Sequence, residues 1–78
     1  MTHDERMALY EQVSVGLRKQ PGESIEQRAR YWAKHARGRR LHASRVILNG
    51  GPDPWAVLAE AAKILRGLKR LHVIQGGR

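Results

Sequence analysis

Seventy-eight residues make one small domain, residues 1–78, whose core supplies only a few kcal/mol of net stability. Fifteen Lys and Arg against seven Asp and Glu leave a net charge of +8, a balance that favours polyanionic partners. The absence of cysteine excludes disulfides, thiolate metal sites and a cysteine nucleophile, and no apolar run is long enough to span a membrane.

The opening residues MTHDERMALY carry acids and lack the apolar centre of a signal peptide, so a cytoplasmic location is expected. A first helix is expected over residues 4–19. Met7, Tyr10, Val13 and Leu17 recur at three- and four-residue intervals, and Pro21 and Gly22 stop the pattern. Asp4 and Glu5 suit the positive end of its dipole.

Ser24 opens a second helix and pairs with Gln27 as a capping box. Ile25, Ala29, Trp32, Ala33 and Ala36 form its apolar stripe, with Arg30, Lys34 and Arg37 opposite. Continuation through Gly38 would swing Arg39 and Arg40 into that stripe without partners, so a break at Gly38 is expected. Trp32 reads as a core residue. Tyr31 lies off the stripe, near Arg28 and His35, and caps the edge of the core.

Residues 39–51, RRLHASRVILNGG, allow two readings. A short helix capped by Asn49 or Gly50 is favoured, and a strand closed by an Asn-Gly-Gly turn is the alternative. Asp53 and Pro54 then start a last helix. Trp55, Leu58, Ala61, Ala62, Leu65 and Leu68 line one side of it, and Val57, Ile64 and Leu71 widen that side to about half the circumference. Two short helices do not cover so wide a face. A homodimer meeting at Val57, Ile64 and Leu71, another protein, or the tail LHVIQGGR folded back would complete it.

The expected fold is therefore all-α, a small basic bundle of three to four helices with a helix-turn-helix-like joint at Gly38. The rival is an α+β fold in which RVILNGG and LHVIQGG are strands of a βαβ unit around the last helix. A two-stranded parallel sheet would be poorly covered in so short a chain, and no nucleotide-binding glycine motif accompanies it.

Little in the sequence suggests catalysis. His3, His35, His42 and His72 show no i,i+4 pair for a metal, no serine sits in a nucleophile elbow, and the acids fall at helix starts. A non-enzymatic protein without cofactor or metal is expected. What demands an explanation is QRARYWAKHARGRRLHASR, residues 27–45. It holds Arg28, Arg30, Lys34, Arg37, Arg39, Arg40 and Arg45 and not one acid. Such cations repel one another unless something neutralises them, and guanidinium groups bond phosphate bidentately. The expected partner is nucleic acid, DNA rather than RNA, in a regulatory or accessory role, with those seven residues as phosphate contacts. With four aromatic side chains and no Phe, a stacking platform for single strands is not indicated. The alternative is an inhibitor or accessory subunit, of the phage- or plasmid-borne kind, whose basic face docks an acidic protein surface. Residues 29–44, ARYWAKHARGRRLHAS, resemble a stretch of the helical theta subunit of bacterial DNA polymerase III, a resemblance from which no function is carried over.

Overall fold

Each of four helices begins at a residue that resolves the problem of its unpaired N–H groups, or at a glycine that turns the chain. The computed structural model describes residues 2–76, with side chains through residue 66. Its elements in order are α1 (His3–Gly16), α2 (Ile25–His35), α3 (Arg39–Leu48) and α4 (Pro54–Gly76), and no strand occurs among the described residues. The βαβ alternative is overturned. RVIL belongs to α3, and residues 71–76 of the tail continue α4 rather than folding back.

At α1, Thr2 and Glu5 form a reciprocal capping box, with the Glu5 N–H donating to Thr2 Oγ1 at 3.2 Å and the Thr2 N–H to Glu5 Oε1 at 3.1 Å. The backbone bond from Thr2, aided by its hydroxyl, holds the Glu5 carboxyl below its ordinary range. A lowered carboxylate stabilises the fold at neutral pH, and that contribution disappears as pH falls through the lowered value. At α2 the expected box is present: the Gln27 N–H donates to Ser24 Oγ at 3.1 Å and the Ser24 N–H to Gln27 Oε1 at 2.8 Å. At α4, Asp53 Oδ1 accepts the Trp55 N–H at 3.0 Å, with Pro54 in the first helical position, where its missing N–H costs nothing.

The first helix ends three residues earlier than expected, at Gly16 rather than at residue 19. The Lys19 N–H reaches back to Ser14 O at 2.8 Å and the Arg18 N–H to Val15 O at 3.0 Å, the paired bonds of a Schellman motif. That closure needs a left-handed residue, and Arg18 adopts it at φ 56°. An arginine in a glycine position carries no sequence signal, which is why Pro21 and Gly22 look like the stop.

The break at Gly38 is as expected. Ala36 leaves α2 in an extended conformation, and Gly38 sits at φ 70°, ψ −137°, which only glycine adopts without strain. The three-residue joint, 36–38, folds α3 back against α2. On its other side α3 packs on α4, which in turn packs on α1. Arg6 stacks on Trp55, and Gly16 approaches Leu65, so α1 and α4 run parallel. The buried core comprises Val13, Leu17, Ile25, Ala29, Ala43, Ala61, Ala62 and Leu65. Met7, expected on the buried face of α1, is exposed.

The last helix covers part of its own wide face. Val57 closes on Gly50, where an added Cβ would lie 2.6 Å from Val57 Cγ2, and Ile64 packs against the core cluster. Both are half-buried within one chain, and the Leu71 side chain lies outside the described set.

Ser44 is fully buried in α3, and its hydroxyl finds no hydrogen-bond partner among the described residues. An unmatched buried hydroxyl is costly, and alanine is the better helix former. Ser44→Ala is expected to raise stability by about 1 kcal/mol, read as a higher denaturant midpoint with an unchanged slope.

Candidate nucleic-acid interface

The seven cations expected to contact phosphate divide into two groups. Arg28 and Arg40 are occupied inside the domain. Arg28 Nε donates to Glu23 Oε1 at 2.7 Å, and its guanidinium lies 4.7 Å from the Tyr31 ring centre and 5.8 Å from that of Trp32. The Arg28 bond is the main reason the Glu23 carboxyl sits below its ordinary range, with the Gln20 N–H adding to it.

Arg40 has a different duty. Its Nε donates to Gly16 O at 3.0 Å while the guanidinium lies 5.5 Å from the Trp32 ring centre. The Trp32 indole N–H donates to the neighbouring carbonyl, Leu17 O. Helix C-termini leave carbonyls unpaired and carry partial negative charge, and α1 has no basic residue in its last turn. Trp32 from α2 and Arg40 from α3 supply the missing donors. One junction therefore ties three helices together: the end of α1, the outer half of α2 and the start of α3. Trp32 is half-buried there.

Arg30, Lys34, Arg37 and Arg45 form the second group, all exposed, with Arg39 half-buried beside them. Among the described residues only Arg30 has an acidic neighbour, Glu26 Oε2 at 3.9 Å, and both side chains are about two-thirds exposed. An open pair of this kind is worth about 0.5 kcal/mol at most, so it does not hold Arg30 away from a phosphate. No acid occurs in the sequence between Glu26 and Asp53, so beyond Glu26 no carboxylate of α2, the joint or α3 opposes these cations. The start of α3 also lacks a side-chain cap and an acid in its first turn. Its free N–H groups add positive potential between Arg37 and Arg39.

Tyr31 stays at the edge, about half exposed, with its ring edge-on to Trp32 at 4.9 Å and tilted against His35 at 4.6 Å. On α3 the exposed side chains His42 and Arg45 share a face, and the exposed C-cap residue Asn49 follows at the i+7 position beside them. His42 and Asn49 were not among the expected contacts, although that spacing is readable once residues 39–48 are taken as helix. Among the described residues, no group of three or more His, Cys, Asp or Glu is placed to hold a metal, and no helix is long and apolar enough to cross a membrane.

Compared with known proteins, the chain matches no family, no curated protein and no solved structure.

Proposed function

We propose that this domain is a non-enzymatic nucleic-acid-binding protein, directed at DNA and acting in a regulatory or accessory role. The observation that carries the reading is the exposure of Arg30, Lys34, Arg37 and Arg45 on α2, the α2–α3 joint and α3, with no acid among them. The domain holds such charge only at the cost of self-repulsion, and phosphate removes that cost. Arg39 at the head of α3 adds to the same field. Arg28 and Arg40 support the surface from beneath rather than reaching out from it.

The paired helices α2 and α3, with a glycine in a three-residue joint, have the proportions of a helix-turn-helix. A twofold dimer through α4, meeting at Val57, Ile64 and Leu71, would bring two such units together and add avidity. Sedimentation at micromolar concentration tests that assembly, and a clean monomer removes it.

The binding test is a titration of duplex DNA, single-stranded DNA and RNA at several salt concentrations. Duplex DNA is expected to bind tightest, with log affinity falling by about 3–4 units per tenfold rise in salt for about four phosphate contacts. Nucleic acid left unbound at low salt, with a protein captured from nuclease-treated lysate instead, would favour the docking of an acidic protein face.

A further inference from the structure

We propose that His42, Arg45 and Asn49 read base edges in the major groove of duplex DNA, which makes the domain sequence-selective. The inference rests on the nucleic-acid reading above and goes beyond it, because phosphate contacts alone carry no sequence information.

The attitude of α3 is fixed by its opposite side. Ala43 and Ser44 are fully buried, and Val46 and Ile47 pack against the core. The row of His42, Arg45 and Asn49 consequently faces outward on a helix that is held between α2 and α4. None of the three side chains makes a hydrogen bond or ion pair among the described residues. In this they differ from Arg28 and Arg40, which are held within the domain.

The chemistry of the row suits base edges. Arginine pairs bidentately with guanine O6 and N7, asparagine with adenine N6 and N7, and imidazole offers one donor and one acceptor. Leu48 is also exposed at the margin of this face and supplies an apolar contact of the kind a thymine methyl accepts.

Dimensions decide between polymers. A ten-residue helix is about 15 Å long and, with side chains, about 10–12 Å across. It enters the B-form major groove, about 12 Å wide. The major groove of A-form RNA is too deep and narrow for it. Arg30, Lys34 and Arg37, on the preceding helix and joint, would then meet the flanking phosphate strand, the part the first helix plays in a helix-turn-helix.

The test is selection from a pool of randomised duplexes by the full chain, followed by affinities for the selected site and a scrambled duplex of equal length at one salt concentration. The selected site is expected to bind at least tenfold tighter than the scrambled one. Arg45→Ala should reduce that ratio by about tenfold, and Asn49→Ala should relax preference at a different base position. Arg45→Lys, which keeps the charge but not the bidentate fork, should lose selectivity as Arg45→Ala does. Circular dichroism melts confirm that these exposed substitutions leave the fold intact. Duplex binding with no enriched sequence, or a ratio that survives both Arg45 variants, overturns this inference and leaves the nucleic-acid reading standing. Absence of duplex binding at low salt overturns both.

Discussion

Trp32→Ala should remove most of the domain's stability and leave a marginal fold at room temperature. The indole fills the junction where α1, α2 and α3 meet, caps Leu17 O with its N–H, and carries the Arg40 and Arg28 guanidinium groups over its ring. Truncating a buried tryptophan costs about 3–5 kcal/mol, and a half-buried one belongs at the lower end of that range. A single core of this size provides only about 3–5 kcal/mol in total. Trp32→Phe separates the two contributions. It keeps a ring under Arg40 but leaves Leu17 O without its donor, a loss of about 1–2 kcal/mol. Chemical denaturation followed by circular dichroism ranks the variants. If Trp32→Ala melts with the wild type yet no longer binds DNA, the indole is a ligand contact and the junction does not hold the bundle together.

That junction shows where the sequence was readable and where it was not. Capping residues announce the starts at Ser24 and Asp53, which solve a local problem with neighbours three residues away or fewer, while α1 was placed by the acids Asp4 and Glu5 and its cap, Thr2, was not read. The fourth start was legible by a different route. Gly38 is the only residue there that can turn the chain, and a continuous helix would have misplaced Arg39 and Arg40. The end of α1 was not legible, since Arg18 takes a conformation its side chain does not advertise. The buried centre of α3 was not legible either. Hydropathy points to Leu41 and Leu48, but the axis approaches its neighbours through Ala43 and Ser44, where small volume matters more than polarity.

The candidate site divides in the same way. Arg30 and Lys34 lie opposite an apolar stripe, and helical geometry predicts their exposure; Arg37, expected on the same helix, is exposed in the joint that follows it. Arg28 is held by partners three to five residues away that the sequence reading did not connect to it, whereas what distinguishes Arg40 is nonlocal. The carbonyl that receives Arg40 is Gly16 O, twenty-four residues away, and it needs a donor only because α1 ends there. A run of seven cations thus contains two with structural duties.

The difference between the two groups predicts opposite outcomes for the same chemical change. Replacing Arg30, Lys34 and Arg37 together by Gln removes three exposed charges and no internal contact other than the weak pair to Glu26. If each neutralises one phosphate, the salt slope should flatten by about 3 units, and affinity near 0.1 M salt should fall by two to three orders of magnitude, roughly, for every DNA sequence alike. Thermal stability should stay the same or rise slightly, since repulsion among the clustered cations is relieved. Arg40→Gln should do the reverse. It strips the guanidinium from Gly16 O and from the Trp32 ring, lowering stability by about 1–3 kcal/mol, while the salt slope of the folded protein stays near its wild-type value. Binding titrations at four salt concentrations, paired with melts of the same samples, check both. A triple variant whose slope equals that of the wild type would mean that these cations face solvent only. An Arg40→Gln slope that drops by a full unit with an unaltered melt would move Arg40 from the scaffold to the contact surface.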